Sequence, residues 1–188
     1  MSADGIFANF PVLNTPRLVL RQIRPEDAPA VFRLFSDAEV TRYYDLDTFT
    51  TPAQADELVE RFQQRFDHQV GIRWGLALNE MPKKLVGTCG YNIWVEPARR
   101  GLMGYDLARA HWRCGLMSEA LAAILEFGFA HMNLNRVEAL TFPQNTASIR
   151  LLAKLGFRAE GLLHEYEYIK GVPQDMSLYA LLCRERRQ

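Results

Sequence analysis

The spacing of apolar residues changes repeatedly along this chain, and each change marks a boundary between elements. Leu18, Val19, Leu20 and Ile23 crowd residues 17–23, a run that ends at Arg24-Pro25 and predicts a strand. Over residues 26–35, Ala28, Val31, Phe32 and Phe35 recur at helical spacing. Thr51-Pro52-Ala53-Gln54 has the spacing of a capping box with proline at the first helical position, and Leu58, Val59, Phe62 and Phe66 form one apolar face behind it. Residues 72–78, 85–93 and 102–107 then read as three successive strands. The turns between them, at residues 79–84 and 96–101, are too short for a crossover helix, so the strands form an antiparallel meander. Helical spacing returns over residues 118–132, a strand follows at 137–142, and a helix at 146–155. Residues 157–169 face 176–182 across a Lys170-Gly171 turn.

This order predicts an α/β fold with a mixed sheet. An antiparallel meander is followed by strand–helix–strand–helix–strand, with helices on both faces of the sheet. The two strands flanking the helix that begins near Ser118 are expected to run parallel.

Composition narrows the setting. The chain has 188 residues, of which 48% are hydrophobic, enough for one substantial core, so a single domain over residues 1–188 is expected. The 22 acidic and 22 basic residues balance, which leaves no overall field to draw the protein onto bulk nucleic acid or an anionic membrane. Cys89, Cys114 and Cys183 are far apart and lack metal-ligand spacing, and His68, His111 and His131 are scattered, so reduced thiols and no bound metal are expected. The first residues carry neither a basic leader nor a run of about 18 apolar residues, and a cytoplasmic location is the expectation. Arg184, Arg186 and Arg187 form a basic tail expected to fray.

The segment Gly104-Tyr105-Asp106-Leu107 followed by Trp112-Arg113-Cys114-Gly115-Leu116-Met117-Ser118-Glu119-Ala120-Leu121 reads as a strand, a tight loop and a helix start. Such a turn cradles anions, because the first N–H groups of a helix have no intrahelical acceptor and its dipole adds about half a positive charge there. Further on, Asn145-Thr146-Ala147-Ser148 opens a helical run that closes at Leu155-Gly156-Phe157. Near the start stand Thr15-Pro16-Arg17-Leu18-Val19-Leu20-Arg21 and Pro25-Glu26-Asp27-Ala28. In this order, these three segments resemble the GNAT N-acetyltransferases, in the branch that contains the ribosomal-protein N-terminal acetyltransferases of the RimJ/RimL type. The resemblance runs from about Thr15 to Leu182 and implies the GNAT fold, with acetyl-CoA as cosubstrate.

It also assigns roles residue by residue. The loop, with Trp112, Arg113, Cys114, Gly115, Leu116, Met117 and Ser118, is implied to hold the pyrophosphate, while the pantetheine arm pairs with the strand near Leu107. Gly115 has its own physical reading, since a residue without Cβ permits positive φ and lets a phosphate oxygen approach the backbone. Arg113 departs from the Gly usual in the branch, and Met117 from the Gly or Ala common in the wider superfamily, but neither change removes a backbone N–H. Asn145 is by its position a helix N-cap, and the resemblance places it beside the cosubstrate as well. Ser148 is implied to protonate the departing thiolate, with a second capping role as its local alternative. Tyr105 and Asp106 border the thioester by the same analogy, Tyr105 shaping the acceptor pocket.

Acetyl transfer to an amine also requires a base, because an ammonium group has no lone pair with which to attack. The run His164-Glu165-Tyr166-Glu167-Tyr168 supplies candidates, and strand alternation predicts Glu165 and Glu167 on one face. Glu167 stands where the resembling enzymes carry their proposed catalytic Glu, with Glu165 and His164 as rivals. The acceptor implied is a primary amine, foremost a protein N-terminal α-amino group. A small-molecule amine acetyltransferase and a non-catalytic CoA-binding module stand as alternatives, and monomer and homodimer are both open. Cys114 lacks the His–Asp pair that an acyl-carrying nucleophile requires. A dinucleotide-dependent oxidoreductase would need a Gly-x-Gly-x-x-Gly run after an early strand, which the chain lacks.

Overall fold

Local chemistry starts and stops the elements. In the computed structural model, which describes residues 3–185, Gln54 Oε1 accepts the N–H of Thr51 at 3.0 Å and of Thr50 at 2.8 Å, opening the helix Pro52–Asp67. In chain order the elements are α1 (Ala3–Phe7), β1 (Leu13–Asn14), β2 (Leu18–Gln22), α2 (Ala28–Phe35), α3 (Ala38–Thr41), α4 (Pro52–Asp67), β3 (Ile72–Leu78), β4 (Leu85–Val95) and β5 (Arg100–Leu107). The second half holds α5 (Leu116–Ala130), β6 (Arg136–Thr141), α6 (Thr146–Lys154), β7 (Arg158–Ile169) and β8 (Val172–Leu182). Lys170 and Gly171 both take positive φ, 52° and 77°, which makes the two-residue hairpin turn between β7 and β8.

The strands form one eight-stranded sheet in the order β1-β2-β3-β4-β5-β6-β8-β7. From β1 to β5 every neighbouring pair is antiparallel, which is the expected meander, and β5 and β6 run parallel across α5. The last strand, β8, inserts between β6 and β7, so β6 never pairs with the strand that follows it in sequence. Side chains alternate across the sheet, and two apolar clusters result. Leu18, Leu20, Trp74 and Leu76 pack in the cluster that holds α5, whereas Ile23, Ala77 and Leu85 pack in the one that holds α2 and α4.

Several boundaries move. Residues 25–27 of the expected first helix form a 3-10 turn before α2, and the helix expected at Ser118 begins at Leu116. β4 and β5 run to Val95 and from Arg100, so their turn is tighter than the sequence predicts, and β8 starts at Val172 directly after the turn. Three short elements, α1, β1 and α3, carry too few residues to show a period. Arg184 of the basic tail lies in a 3-10 turn, Cys183–Glu185, pinned by the Cys183 N–H to Asn135 O at 2.9 Å; Arg186 and Arg187 lie outside the described residues. No helix among the described residues is long and apolar enough to cross a membrane.

One feature of the sheet prepares the site. β5 and β6 pair only from Arg100↔Arg136 to Met103↔Ala139, yet β5 continues to Leu107 and β6 to Thr141. Beyond Met103 the two parallel strands separate and leave a gap, with α5 and α6 starting just past their C-terminal ends. Crevices at the C-terminal ends of parallel strands are where α/β sheets bind ligands.

Candidate active site

On one side of the gap lies the loop from β5 to α5. Gly115 caps α5 at φ 76°, and Arg113 takes φ 61°, a left-handed conformation that costs a residue with a Cβ about 1 kcal/mol. The backbone N–H groups from Arg113 to Ser118 have no acceptor among the described residues, so a row of donors faces outward at the positive end of a 15-residue helix. The loop is braced from the far end of the sequence. Arg17 donates to Cys114 O at 2.8 Å and to Glu119 Oε2 at 2.7 Å, while Glu119 Oε1 accepts from Thr15 Oγ1 at 2.6 Å and from the Arg17 N–H at 2.8 Å. Burial works to raise the Glu119 pKa, but the hydrogen bonds from Thr15 and Arg17 outweigh it and hold the carboxyl below its ordinary value.

Ala108 donates its N–H to Val86 O on β4, so by strand alternation the amides of Leu107 and Tyr105 point the other way, toward the gap. Trp112 is 40% exposed; its indole N–H donates to Leu107 O at 2.7 Å and ties the loop base to this strand end. Across the gap, Asn145 Oδ1 accepts the Ser148 N–H at 3.1 Å and caps α6. The Ser148 hydroxyl then reaches back over the gap and shares a hydrogen bond of 2.6 Å with the Tyr105 hydroxyl. Burial pushes the Tyr105 phenol up to about 12, and the Ser148 bond pulls the other way.

Two cavities meet at this bridge. The larger, about 650 Å³, is lined by the loop, the end of β5 and the first turns of α6; the smaller, about 220 Å³, lies between α4, the 43–46 segment and the ends of β6 and β7. Tyr43, Tyr44, Tyr105, Asn145 and Ser148 line both. Glu167 lines the smaller one, its pKa raised first by burial and then by the Asp45 carboxylate. Beneath that cavity Arg73, 1% exposed, pairs with Asp106, 6% exposed, and each also bonds Thr88. Arg73 Nη1 donates to Asn92 Oδ1 at 3.0 Å and Nη2 to the Tyr44 hydroxyl at 3.4 Å, so this buried pair props two cavity-wall residues from below.

The structure thus gathers Leu107, Trp112, Arg113, Gly115, Leu116, Met117, Ser118, Asn145 and Ser148 around one cavity, with Tyr105 and Ser148 opening onto the other, where Glu167 stands. Cys114 is an exception among the loop residues: it is exposed, lines neither cavity, and its thiol donates to Trp112 O at 3.3 Å. The alternation that put Glu165 and Glu167 on one face fails. Between Leu163↔Met176 and Glu167↔Gln174 β7 carries two extra residues, Glu165 turns to φ 48°, and Asp175 takes the Glu165 N–H at 2.8 Å and His164 Nδ1 at 3.0 Å. Glu165 and His164 are therefore held on an exposed bulge outside both cavities. Asp106 is turned into its ion pair with Arg73.

Sequence reasoning missed Arg150 and Lys154, which line the larger cavity one helical turn apart on α6. Their i, i+4 spacing after Asn145 was the available signal. It also missed Asp45, Arg61 and Arg65 in the smaller cavity. Among the described residues no group of three or more His, Cys, Asp or Glu could hold a metal ion.

Comparison with known proteins bears on this geometry. Residues 17–158 match the acetyltransferase (GNAT) domain family. An uncharacterized N-acetyltransferase of Bacillus subtilis (strain 168), YoaA, is 40% identical over 173 residues, covering 92% of this chain and 97% of the relative. Among solved structures, RimJ of Mycobacterium smegmatis in complex with CoA-disulfide superposes with a TM-score of 0.81 at 26% identity, over 91% of this chain and 84% of that one. A ribosomal-protein-S5-alanine acetyltransferase of Vibrio fischeri superposes with a TM-score of 0.79 at 25% identity, over 95% and 100%. The outward N–H row, the left-handed Gly115 and the cations Arg113, Arg150 and Lys154 fit a polyphosphate, the acidic half of CoA. The chain belongs to the GNAT acetyltransferase family and is an acetyl-CoA-dependent N-acetyltransferase.

Proposed function

We propose that the protein transfers acetyl to an α-amino group at a peptide or protein N-terminus, with both substrates bound at once and no acyl-enzyme. The observation that carries this reading is the Tyr105–Ser148 bridge, a pair of hydroxyls that opens onto both cavities at the point where the parallel strands part. The larger cavity takes CoA, its pyrophosphate on the N–H groups of residues 113–118, and the smaller takes the amine. An α-amino acceptor is supported by the likeness to the alanine acetyltransferase of Vibrio fischeri.

Acetyl-CoA supplies an activated thioester; the protein's residues order and move protons around it. Glu167 accepts a proton from the ammonium, directly or through a water. The Leu107 N–H, turned into the gap, donates to the carbonyl oxygen as negative charge gathers there. As the C–S bond breaks, Ser148 gives its proton to the departing sulfur and regains one from the amine nitrogen, which sheds its second proton as the amide forms, while Tyr105, kept protonated by burial, holds Ser148 Oγ by its hydrogen bond. Holding both reactants across one gap supplies much of the acceleration that a direct transfer needs.

Thiol release measured with acetyl-CoA and short peptides tests the reading. Glu167→Gln keeps the size and polarity of the side chain and removes its basicity, so turnover at neutral pH should fall roughly 10²-fold. The defect should shrink as rising pH deprotonates the amine without help. For the wild type, the acid limb of kcat/KM should lie above the ordinary carboxylate range, because the Glu167 pKa is raised and only its ionised form is a base. A Glu167→Gln defect of the same size at every pH, or none, would remove Glu167 from the proton path.

A further inference from the structure

The smaller cavity carries two charges that acetyl transfer does not use. Arg61 and Arg65 lie one helical turn apart on α4 and line the same cavity as Glu167 and Asp45. Neither guanidinium has a carboxylate partner among the described residues. Arg65 is half-buried; its one hydrogen bond goes to Asn92 Oδ1 at 3.2 Å, an oxygen that already accepts from Arg73. Arg73 is neutralised by Asp106, but among the described residues no carboxylate makes an ion pair with Arg65: Asp45 acts on it only from a distance, and burial followed by the neighbouring Arg73 lowers its pKa. Arg61 stands exposed at the rim, with no ion pair or hydrogen bond among the described residues. Like charges at this spacing on a helix repel, and a partly desolvated cation without a counter-ion is unfavourable, so the pair destabilises the fold unless something else meets it.

The cavity is therefore bipolar: carboxylates from Glu167 and Asp45, guanidinium groups from Arg61 and Arg65, and no ion pair joining the two sets. A simple amine would answer only the acidic set, and a polyamine would set its second cation against the arginines. We infer that the preferred acceptor carries an anionic group, a carboxylate or a phosphate, close to its amine, with the amine turned to Glu167 and the anion to Arg65 and Arg61. This rests on the reading of the smaller cavity as the acceptor side. Such a group can belong to an acidic side chain at the start of a peptide or to a small amino acid or amino phosphate; guanidinium recognition is the same for both.

The test compares matched acceptors in a thiol-release assay: Ala-Asp against Ala-Asn peptides, and phosphoethanolamine against ethanolamine. In at least one pair the anionic member should have a kcat/KM at least tenfold above its neutral counterpart, and the pair with the larger ratio identifies the source. Within Arg61→Gln, an exposed substitution that removes no partner, the anionic-to-neutral ratio should fall severalfold, and Arg61→Glu should bring it below one. Ratios near one in the wild type, a preference for polyamines, or a ratio unchanged in both variants would overturn the inference while leaving amine acetylation standing. If no amine releases thiol, the acyl-transfer reading fails instead, and calorimetric binding of the same pairs to wild type and Arg61→Gln decides the inference on its own: selective binding of anionic members that Arg61→Gln weakens upholds it, and equal binding overturns it.

Discussion

The two cavities that meet at Tyr105 and Ser148 are built on different principles. In the larger, the end at the start of α5 is made of backbone: a helix N-terminus, a left-handed glycine and a run of outward N–H groups, all within residues 107–118 and braced by Arg17 and Glu119. The smaller is made of side chains brought from α4, the 43–46 segment, β4, β6 and β7, and it rests on a buried ion pair. A backbone site tolerates changes of side chain, because Arg113 and Met117 each present an N–H whatever side chain they carry. A side-chain site can be altered one charge at a time without disturbing the cosubstrate. The contrast explains how one fold can keep its acyl donor and vary its acceptor.

The largest effect should come from the foundation of the side-chain cavity. Asp106→Ala leaves Arg73 buried and unpaired, and is expected to cost about 3–5 kcal/mol of stability in chemical denaturation. A loss under about 1 kcal/mol would mean that water or a rearranged neighbour replaces the carboxylate easily. At the junction, Ser148→Ala should lower kcat by roughly 10–100-fold with less change in KM for acetyl-CoA, because the hydroxyl is needed once charge gathers on sulfur. Full turnover under conditions where chemistry limits the rate would remove the Ser148 hydroxyl from the proton path and shift the proton donor to Tyr105. In the backbone cavity, Gly115→Glu forces a side chain into the left-handed position and sets a negative charge where the proposal puts the pyrophosphate. CoA affinity measured by calorimetry should weaken at least tenfold, about 1.4 kcal/mol or more. Unchanged affinity in the folded variant would place the pyrophosphate elsewhere.

The same contrast governs what could be read from the sequence. The meander, the parallel pair around α5 and the Lys170-Gly171 hairpin follow from hydrophobic period and turn residues, which are local properties. The loop from β5 to α5 was equally readable, because its left-handed Gly115 and its row of outward N–H groups lie within a few consecutive residues. β8 inserting between β6 and β7 was hidden, since no local pattern says which neighbour a strand will choose. The bulge at Glu165 was hidden too: two extra residues opposite β8 reset the alternation, and Asp175 holds the displaced segment from the other strand. The smaller cavity was the least visible. Asp45, the α4 pair Arg61 and Arg65, and Glu167 come from three separate stretches of the chain, and only the packing of α4 against the sheet makes them neighbours. Glu167 was found by position within a resembling family, whereas the arginines around it had no such marker.

In the proposed mechanism CoA and the amine reach each other across the Tyr105–Ser148 bridge, the first held by backbone and the second by side chains. Crystals of the protein grown with CoA test it directly. In such crystals the pyrophosphate oxygens should lie within hydrogen-bond distance of N–H groups in residues 113–118, and the CoA sulfur should touch Ser148 Oγ and point toward the cavity that holds Glu167. A sulfur turned away from Ser148, or a pyrophosphate lying off the start of α5, would contradict it.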